Sequence, residues 1–220
     1  MMSSGNFKQD VYAQLARVGK ALGHANRLEL LEFVAQGPRS VEELATMTRL
    51  SMANASKHLQ ELRHAGLVRA RKEGVRVFYE MAGPDVVDLL TALREVAESR
   101  LAEVEQLLRV YITARDDLEP IPAAELLERA HMGLVTVLDV RPPEEYAAGH
   151  LPGAINITAD TLAGHLRRLP KGREVIAYCR GPYCLLSVDA VALLRQKGYK
   201  ARRLEDGFPE WKASGLPVES

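Results

Sequence analysis

The sequence predicts two domains in series: an α+β domain of short helices closed by a two-stranded hairpin, then an α/β domain built on a parallel sheet. Three observations carry the prediction. Apolar residues recur at helical spacing from Phe7 to Leu62, and two alternating strands then flank Glu73-Gly74. Residues 114–122, polar and punctuated by Pro120 and Pro122, interrupt the helical pattern as a linker would. Beyond them, strands are expected at 134–140, 155–156, 175–178 and 201–204 with helical stretches between, the rhythm of a parallel sheet. The expected limits are 1–113 for the first domain, 114–121 for the linker and 122–220 for the second domain. A chain of 220 residues has room for both.

Taken in order, Phe7, Val11, Leu15, Val18 and Leu22 make one stripe on a first helix. Ala25 or Asn26 opens a second, with Leu28, Leu31, Phe33 and Val34 inward, and Gly37-Pro38 ends it. Ser40 caps a short third helix, and Glu43 three residues on completes a capping box. Ser51 caps the fourth, residues 52–64, with Ala55, Leu59 and Leu62 on its core side, and Gly66 stops it. Residues 67–71 and 75–79 alternate as a hairpin with a basic tip. From Arg49 to Ala82 there are seven basic residues (Arg49, Lys57, Arg63, Arg69, Arg71, Lys72, Arg76) and three acidic ones (Glu61, Glu73, Glu80). That local excess suits a phosphate backbone although the whole chain has a net charge of zero.

Helix, turn, helix and a basic two-stranded wing make the layout of a winged helix-turn-helix, and the residues themselves resemble the ArsR-type transcriptional regulators. The resemblance spans roughly residues 8–112. It is carried by Leu22-Gly23-His24-Ala25-Asn26-Arg27-Leu28, Ser40-Val41-Glu42-Glu43-Leu44-Ala45 and Leu62-Arg63-His64-Ala65-Gly66-Leu67-Val68. It implies that residues 52–64 enter the major groove of a double-stranded DNA operator. Asn54, Ser56, Lys57 and His58 then point outward, and Arg71, Lys72 and Arg76 of the wing complete the DNA surface. Asn pairs bidentately with adenine, and Lys meets guanine or phosphate. Met52 and Ala53 stand where the family is usually polar. Many ArsR-type proteins bind metal through cysteines on the third helix, or through His and acidic residues on the last. Residues 41–47 hold neither Cys nor His, and residues 84–113 hold no His. A metal site needs converging ligands, so no metal and no cofactor is expected.

Pro84 opens a long helix on which Val86, Leu90, Leu93, Ala97, Leu101, Val104, Leu108 and Tyr111 recur for about seven turns. A stripe that long needs a partner helix, and the ArsR resemblance implies a homodimer through the first helix and this last one.

Both cysteines lie in Tyr178-Cys179-Arg180-Gly181-Pro182-Tyr183-Cys184. An apolar strand leads in, and Cys184, Leu185, Val188, Val191 and Leu194 read as a helix ended by Gly198. A thiol at a strand tip facing a helix N-terminus sits in a positive field that favours the thiolate. Around this loop, Asp139-Val140-Arg141-Pro142-Pro143-Glu144-Glu145-Tyr146, with Gly149-His150-Leu151-Pro152-Gly153-Ala154 after it, resembles the N-terminal signature of rhodanese domains. Leu204-Glu205-Asp206-Gly207-Phe208-Pro209-Glu210-Trp211 resembles their C-terminal one. This resemblance spans residues 120–220 and places Cys179 at the catalytic cysteine, with Arg180, Gly181, Pro182, Tyr183 and Cys184 as its loop. Asp139, Arg141, Glu145 and His150 are expected to tie loops together, and Trp211 to be a core or rim aromatic. The related C-x5-R phosphatase loop requires Arg six residues after the cysteine; Leu185 stands there. Cys184 sits where a curved loop brings two thiols within disulfide reach, if the Cα atoms lie within about 7 Å.

Three functions fit these features. One is a regulator that senses sulfane sulfur or another small thiol-reactive species. The second is a thiosulfate or persulfide sulfurtransferase, acting through a Cys179 persulfide and tethered by the winged helix. The third is a DNA-binding protein whose rhodanese domain serves only as a protein-interaction scaffold. Residues 1–10 lack a signal-peptide layout, and no run is long enough to span a bilayer, so a cytoplasmic protein with no membrane partner is expected.

Overall fold

The computed structural model describes residues 4–116 and 118–220, so Met1–Ser3 of the N-terminal segment and Asp117 of the expected linker lie outside the described residues. The chain forms two compact units, residues 1–86 and 87–220.

In the first unit, α1 (Ser4–Leu22) and α2 (Ala25–Ala35) precede a short strand, β1 (Arg39–Ser40). Then come α3 (Val41–Met47), α4 (Met52–His64), β2 (Val68–Glu73) and β3 (Arg76–Met81). The capping box forms: Ser40 N–H donates to Glu43 Oε2 (2.8 Å), and Glu43 N–H donates to Ser40 Oγ (3.2 Å). Gly66 closes α4 with φ 77°, and Leu67 N–H reaches back to the Leu62 carbonyl. Arg49 closes α3 in the same left-handed conformation (φ 54°), where glycine is the usual occupant. It thereby sets the turn between α3 and α4. Leu30, Leu31, Leu44, Ala55, Leu59 and Leu62 are fully buried, so the apolar faces of α2, α3 and α4 share one core. The hairpin pairs Glu73 with Arg76 and packs beside β1 in the order β1-β3-β2. The stripe on α1 enters this core only at its end, where Leu22 is buried. Phe7, Val11 and Leu15 are exposed, Phe7 to 70%.

The second unit opens within α5 (Pro84–Arg100), whose first turn belongs to the first unit. The single long helix expected here is broken. Leu101 is extended (φ −110°, ψ 108°) and starts α6 (Ala102–Leu108), which passes into a π-helical turn at Arg109–Thr113. No Pro or Gly marks the break. Ser99 donates its hydroxyl to the Val96 carbonyl (3.2 Å), a back-bond of the kind that bends helices.

Two residues of the expected linker, Asp116 and Ile121, are built into the second unit. Asp116 is 4% exposed and pairs with Arg195 (2.8 Å) and Arg203. Ile121 is fully buried and bridges to Leu204 in parallel.

After α7 (Ala123–His131) come β4 (Val135–Asp139), α8 (Pro143–Ala148), β5 (Ile155–Asn156) and α9 (Leu162–His165). The remainder is β6 (Glu174–Tyr178), α10 (Leu185–Gln196), β7 (Ala201–Arg203) and α11 (Phe208–Ala213). The four strands are parallel in the order β5-β4-β6-β7. Successive side chains on a strand face opposite sides. Val175 and Ala177 therefore face Ala190, Val191 and Leu194 of α10, while Ile176 and Tyr178 face Phe208 and Trp211 of α11. Cys179, next in phase with Ala177, falls on the α10 side, where Cys184 also lies. The alternation of β6 thus puts the two thiols together.

Among the described residues, no helix is long and apolar enough to cross a membrane, and no group of three or more His, Cys, Asp or Glu is placed to hold a metal ion.

Candidate functional site: a cysteine loop and a helix-turn-helix face

The loop from Cys179 to Cys184 leaves the tip of β6 and returns at the cap of α10. The Sγ atoms of Cys179 and Cys184 are joined as a disulfide across a Cα separation of 6.1 Å. Cys179 is 2% exposed and Cys184 8%. Cys184 N–H donates to the Gly181 carbonyl (3.1 Å), closing the turn, and Phe208 N–H donates to the Cys179 carbonyl (3.1 Å). Gly207 presses on the loop from behind. A Cβ there would lie 2.4 Å from Arg180 C and from Gly181 N, so only glycine lets α11 begin so close. The C-terminal signature thereby gains a physical meaning, since it supplies the wall of the cysteine loop.

Arg180 turns away into a clamp. Its Nε lies 3.0 Å from both carboxylate oxygens of Glu145, and its Nη2 lies 2.7 Å from Oε1, with Glu145 wholly buried. The loop's cation is therefore answered by an anion within the fold. Asp139 and Arg141, also fully buried, pair with each other (2.7 Å). Arg141 donates to the Gly149 carbonyl (2.8 Å), and the Tyr178 hydroxyl donates to Asp139. Burial and the Asp139 carboxylate hold the Tyr178 phenol far above its ordinary range. These groups tie the strand ends together, as expected of them, and Trp211 is a core residue, 2% exposed. His150 stacks on Tyr146 with ring centroids 3.7 Å apart.

Two residues of α5 near the loop, Glu98 and Arg94, carry no sequence signal. Tyr183 donates its hydroxyl to Glu98 of α5 (2.6 Å), and burial followed by that carboxylate raises its phenol. Arg94, one turn earlier on α5, binds Glu210 (3.0 Å) and Asp206 (3.7 Å). Glu210 in turn accepts from Gly207 N–H (3.1 Å). The carboxyl of Asp206 is raised by burial and then by neighbouring Glu210. Glu98, Asp206, Glu210 and Glu145 thus outnumber Arg94 and Arg180 around the loop.

On α4, Asn54 and Lys57 are exposed, and Ser56 and His58 are half-buried. Ser56 Oγ accepts from Gln60 (3.4 Å). His58 packs on His24, the cap of α2, with ring centroids 4.4 Å apart. Part of its ring is therefore covered. In the wing, Arg71 and Arg76 share a face with Glu73, and Arg71 pairs with that carboxylate. Lys72, opposite Val77, lies on the other face.

Partial burial, then the nearby His24, Arg27 and Lys57, lower the His58 imidazole below its ordinary 6.5, against a weaker opposing pull from Glu61. The folded state then binds fewer protons than the unfolded one, so stability falls as pH drops through and below this range. Urea melts at pH 7.5, 6.5 and 5.5 are expected to show that loss, and His58→Gln is expected to shrink it. Equal pH slopes in parent and variant would contradict the assignment.

The chain matches two family profiles: "Bacterial regulatory protein, arsR family" over residues 24–70 and "Rhodanese-like domain" over residues 122–214. It is 45% identical over 219 residues to the HTH-type transcriptional regulator Rv0324 of Mycobacterium tuberculosis, a match covering 100% of this chain and 96% of that one. A sulfurtransferase of Allochromatium vinosum is 34% identical over 85 residues, 38% of this chain and 78% of that one. Among solved structures, the homodimeric winged helix-turn-helix DNA-binding domain Mb0332 of Mycobacterium bovis is 44% identical. That match covers 46% of this chain and 94% of that one, with a TM-score of 0.42.

Proposed function

The chain belongs to the ArsR-type HTH transcriptional regulators that carry a C-terminal rhodanese-like domain, and on that premise we propose that its cysteine loop makes operator binding responsive to sulfane sulfur. Asn54 and Lys57 read the major groove, while Arg71, Lys72 and Arg76 meet the backbone. Two copies pair through the exposed stripe of α1 (Phe7, Val11, Leu15) and through α5, where Leu89, Leu93 and Val96 are exposed.

The observation that carries the proposal is the Tyr183–Glu98 hydrogen bond. It fastens the residue between the loop turn and Cys184 to the helix whose first turn lies in the DNA-binding unit. A change of state at Cys179 reshapes the loop, moves Tyr183, and alters its hold on α5. The excess of carboxylates around the loop selects the donor. A dianion such as thiosulfate is repelled, whereas a persulfide of low charge is not. Tyr183→Phe and Glu98→Gln are expected to take up sulfur like the parent, by intact mass, while the donor-dependent change in DNA affinity shrinks toward none. A full response in both variants would remove this path.

A further inference from the structure

We infer that Cys184 is a resolving thiol. Sulfur delivered to Cys179 leaves as hydrosulfide, and the chain is left with the Cys179–Cys184 disulfide. The inference rests on the proposed reading of Cys179 as sulfur acceptor and adds a reaction to it: reduction of sulfane sulfur, one event per chain until a thiol resets the pair.

The placement supports each step. The Cα atoms lie 6.1 Å apart, within the span a disulfide bridges without backbone movement. Both side chains belong to one buried cluster with Ala177, Val191 and Leu194, so Cys184 is already at Cys179. Cys184 is the cap residue of the twelve-residue α10, with no side-chain hydrogen bond there, and the helix amides favour an anionic sulfur as attacking group. The Glu145 clamp holds the Arg180 guanidinium, so the loop offers a stored persulfide anion little cationic support.

The atoms and electrons balance. The Cys179 thiolate attacks the terminal sulfur of a persulfide R–S–SH. The donor S–S bond breaks, R–S⁻ leaves with the electron pair, and Cys179–S–SH forms. The Cys184 thiolate then attacks Cys179 Sγ. The Sγ–S bond breaks and HS⁻ leaves with its electron pair. The cysteine pair loses two electrons, and the sulfane sulfur, formally zero-valent, becomes sulfide. Two molecules of a low-molecular-weight thiol return the disulfide to thiols and become a disulfide themselves.

The test uses the full-length protein, reduced and freed of reductant, with cysteine persulfide as the probe. Hydrosulfide is measured, and intact mass is recorded without reductant. The parent is expected to release one equivalent of hydrosulfide per chain and to end two hydrogens lighter. Cys184→Ser, with Cys184→Ala beside it, is expected to keep one added sulfur on Cys179 and to release at least about tenfold less hydrosulfide. A parent that retains the sulfur, as a persulfide or as a bridging trisulfide, overturns the inference. So does undiminished release by both variants. If the folded variants take up no sulfur at all, the reading of Cys179 as acceptor fails, and this inference with it.

Discussion

Cys179→Ser is expected to take up no sulfane sulfur and to bind its operator with the same affinity whether or not a persulfide is present. The position explains the size of the effect. Cys179 is the residue at the β6 tip whose backbone carbonyl is held by Phe208 N–H, and its side chain lies on the face shared with Cys184. Serine keeps the shape and the backbone bonds but supplies no thiolate. The parent response is set by the coupling between the loop and the DNA-binding unit; for allosteric proteins such coupling is typically about 1–3 kcal/mol, or about 5–150-fold in affinity. The variant's ratio is expected to fall to about one, because the coupling begins at this sulfur. Intact mass and fluorescence anisotropy on the same sample check both parts. Sulfur carried only on Cys184, or a persistent DNA response, would place the sensing thiol elsewhere.

Lys57→Ala and Arg76→Ala are expected to weaken DNA binding strongly, each in its own way. Lys57 is exposed on α4, beyond the Ser51 cap. Arg76 stands opposite Glu73 in the wing, but Arg71 is the residue that pairs with that carboxylate. Loss of a base contact costs about 1–3 kcal/mol and relaxes sequence preference. Loss of a phosphate contact weakens all sequences alike and lowers the slope of log K against log salt by about 0.9 per contact. Salt titrations on operator and on unrelated duplex tell the two apart. If both variants match the parent at every salt concentration, α4 and the wing are not the DNA surface.

Much of this was legible in the residues. The Ser40–Glu43 capping box, the Gly66 stop, the turn at Glu73-Gly74 and all four parallel strands follow from local signals, because each depends on neighbours in sequence. The sequence left the meeting of Cys179 and Cys184 open; the phase of β6, seen in the fold, is what puts the two thiols on one side. What escaped depends on long-range partners. Nothing local told that Arg180 would be clamped by Glu145, thirty-five residues away, or that Tyr183 would reach Glu98, eighty-five residues away. The break at Leu101 escaped for a different reason: the apolar spacing continues through it unchanged, and periodicity reports a face rather than a continuous backbone. His58 looked like an outward residue by spacing, and only its packing on His24 shows that part of the ring is covered.

The most direct test of the account is one titration. Full-length reduced protein is titrated onto a labelled duplex from its own upstream region, with and without cysteine persulfide, at one fixed salt concentration. The account predicts curves separated by at least about fivefold in affinity, with the separation erased by a thiol that reopens the Cys179–Cys184 pair. Superimposable curves, from protein whose mass shows that the pair has closed, would contradict it.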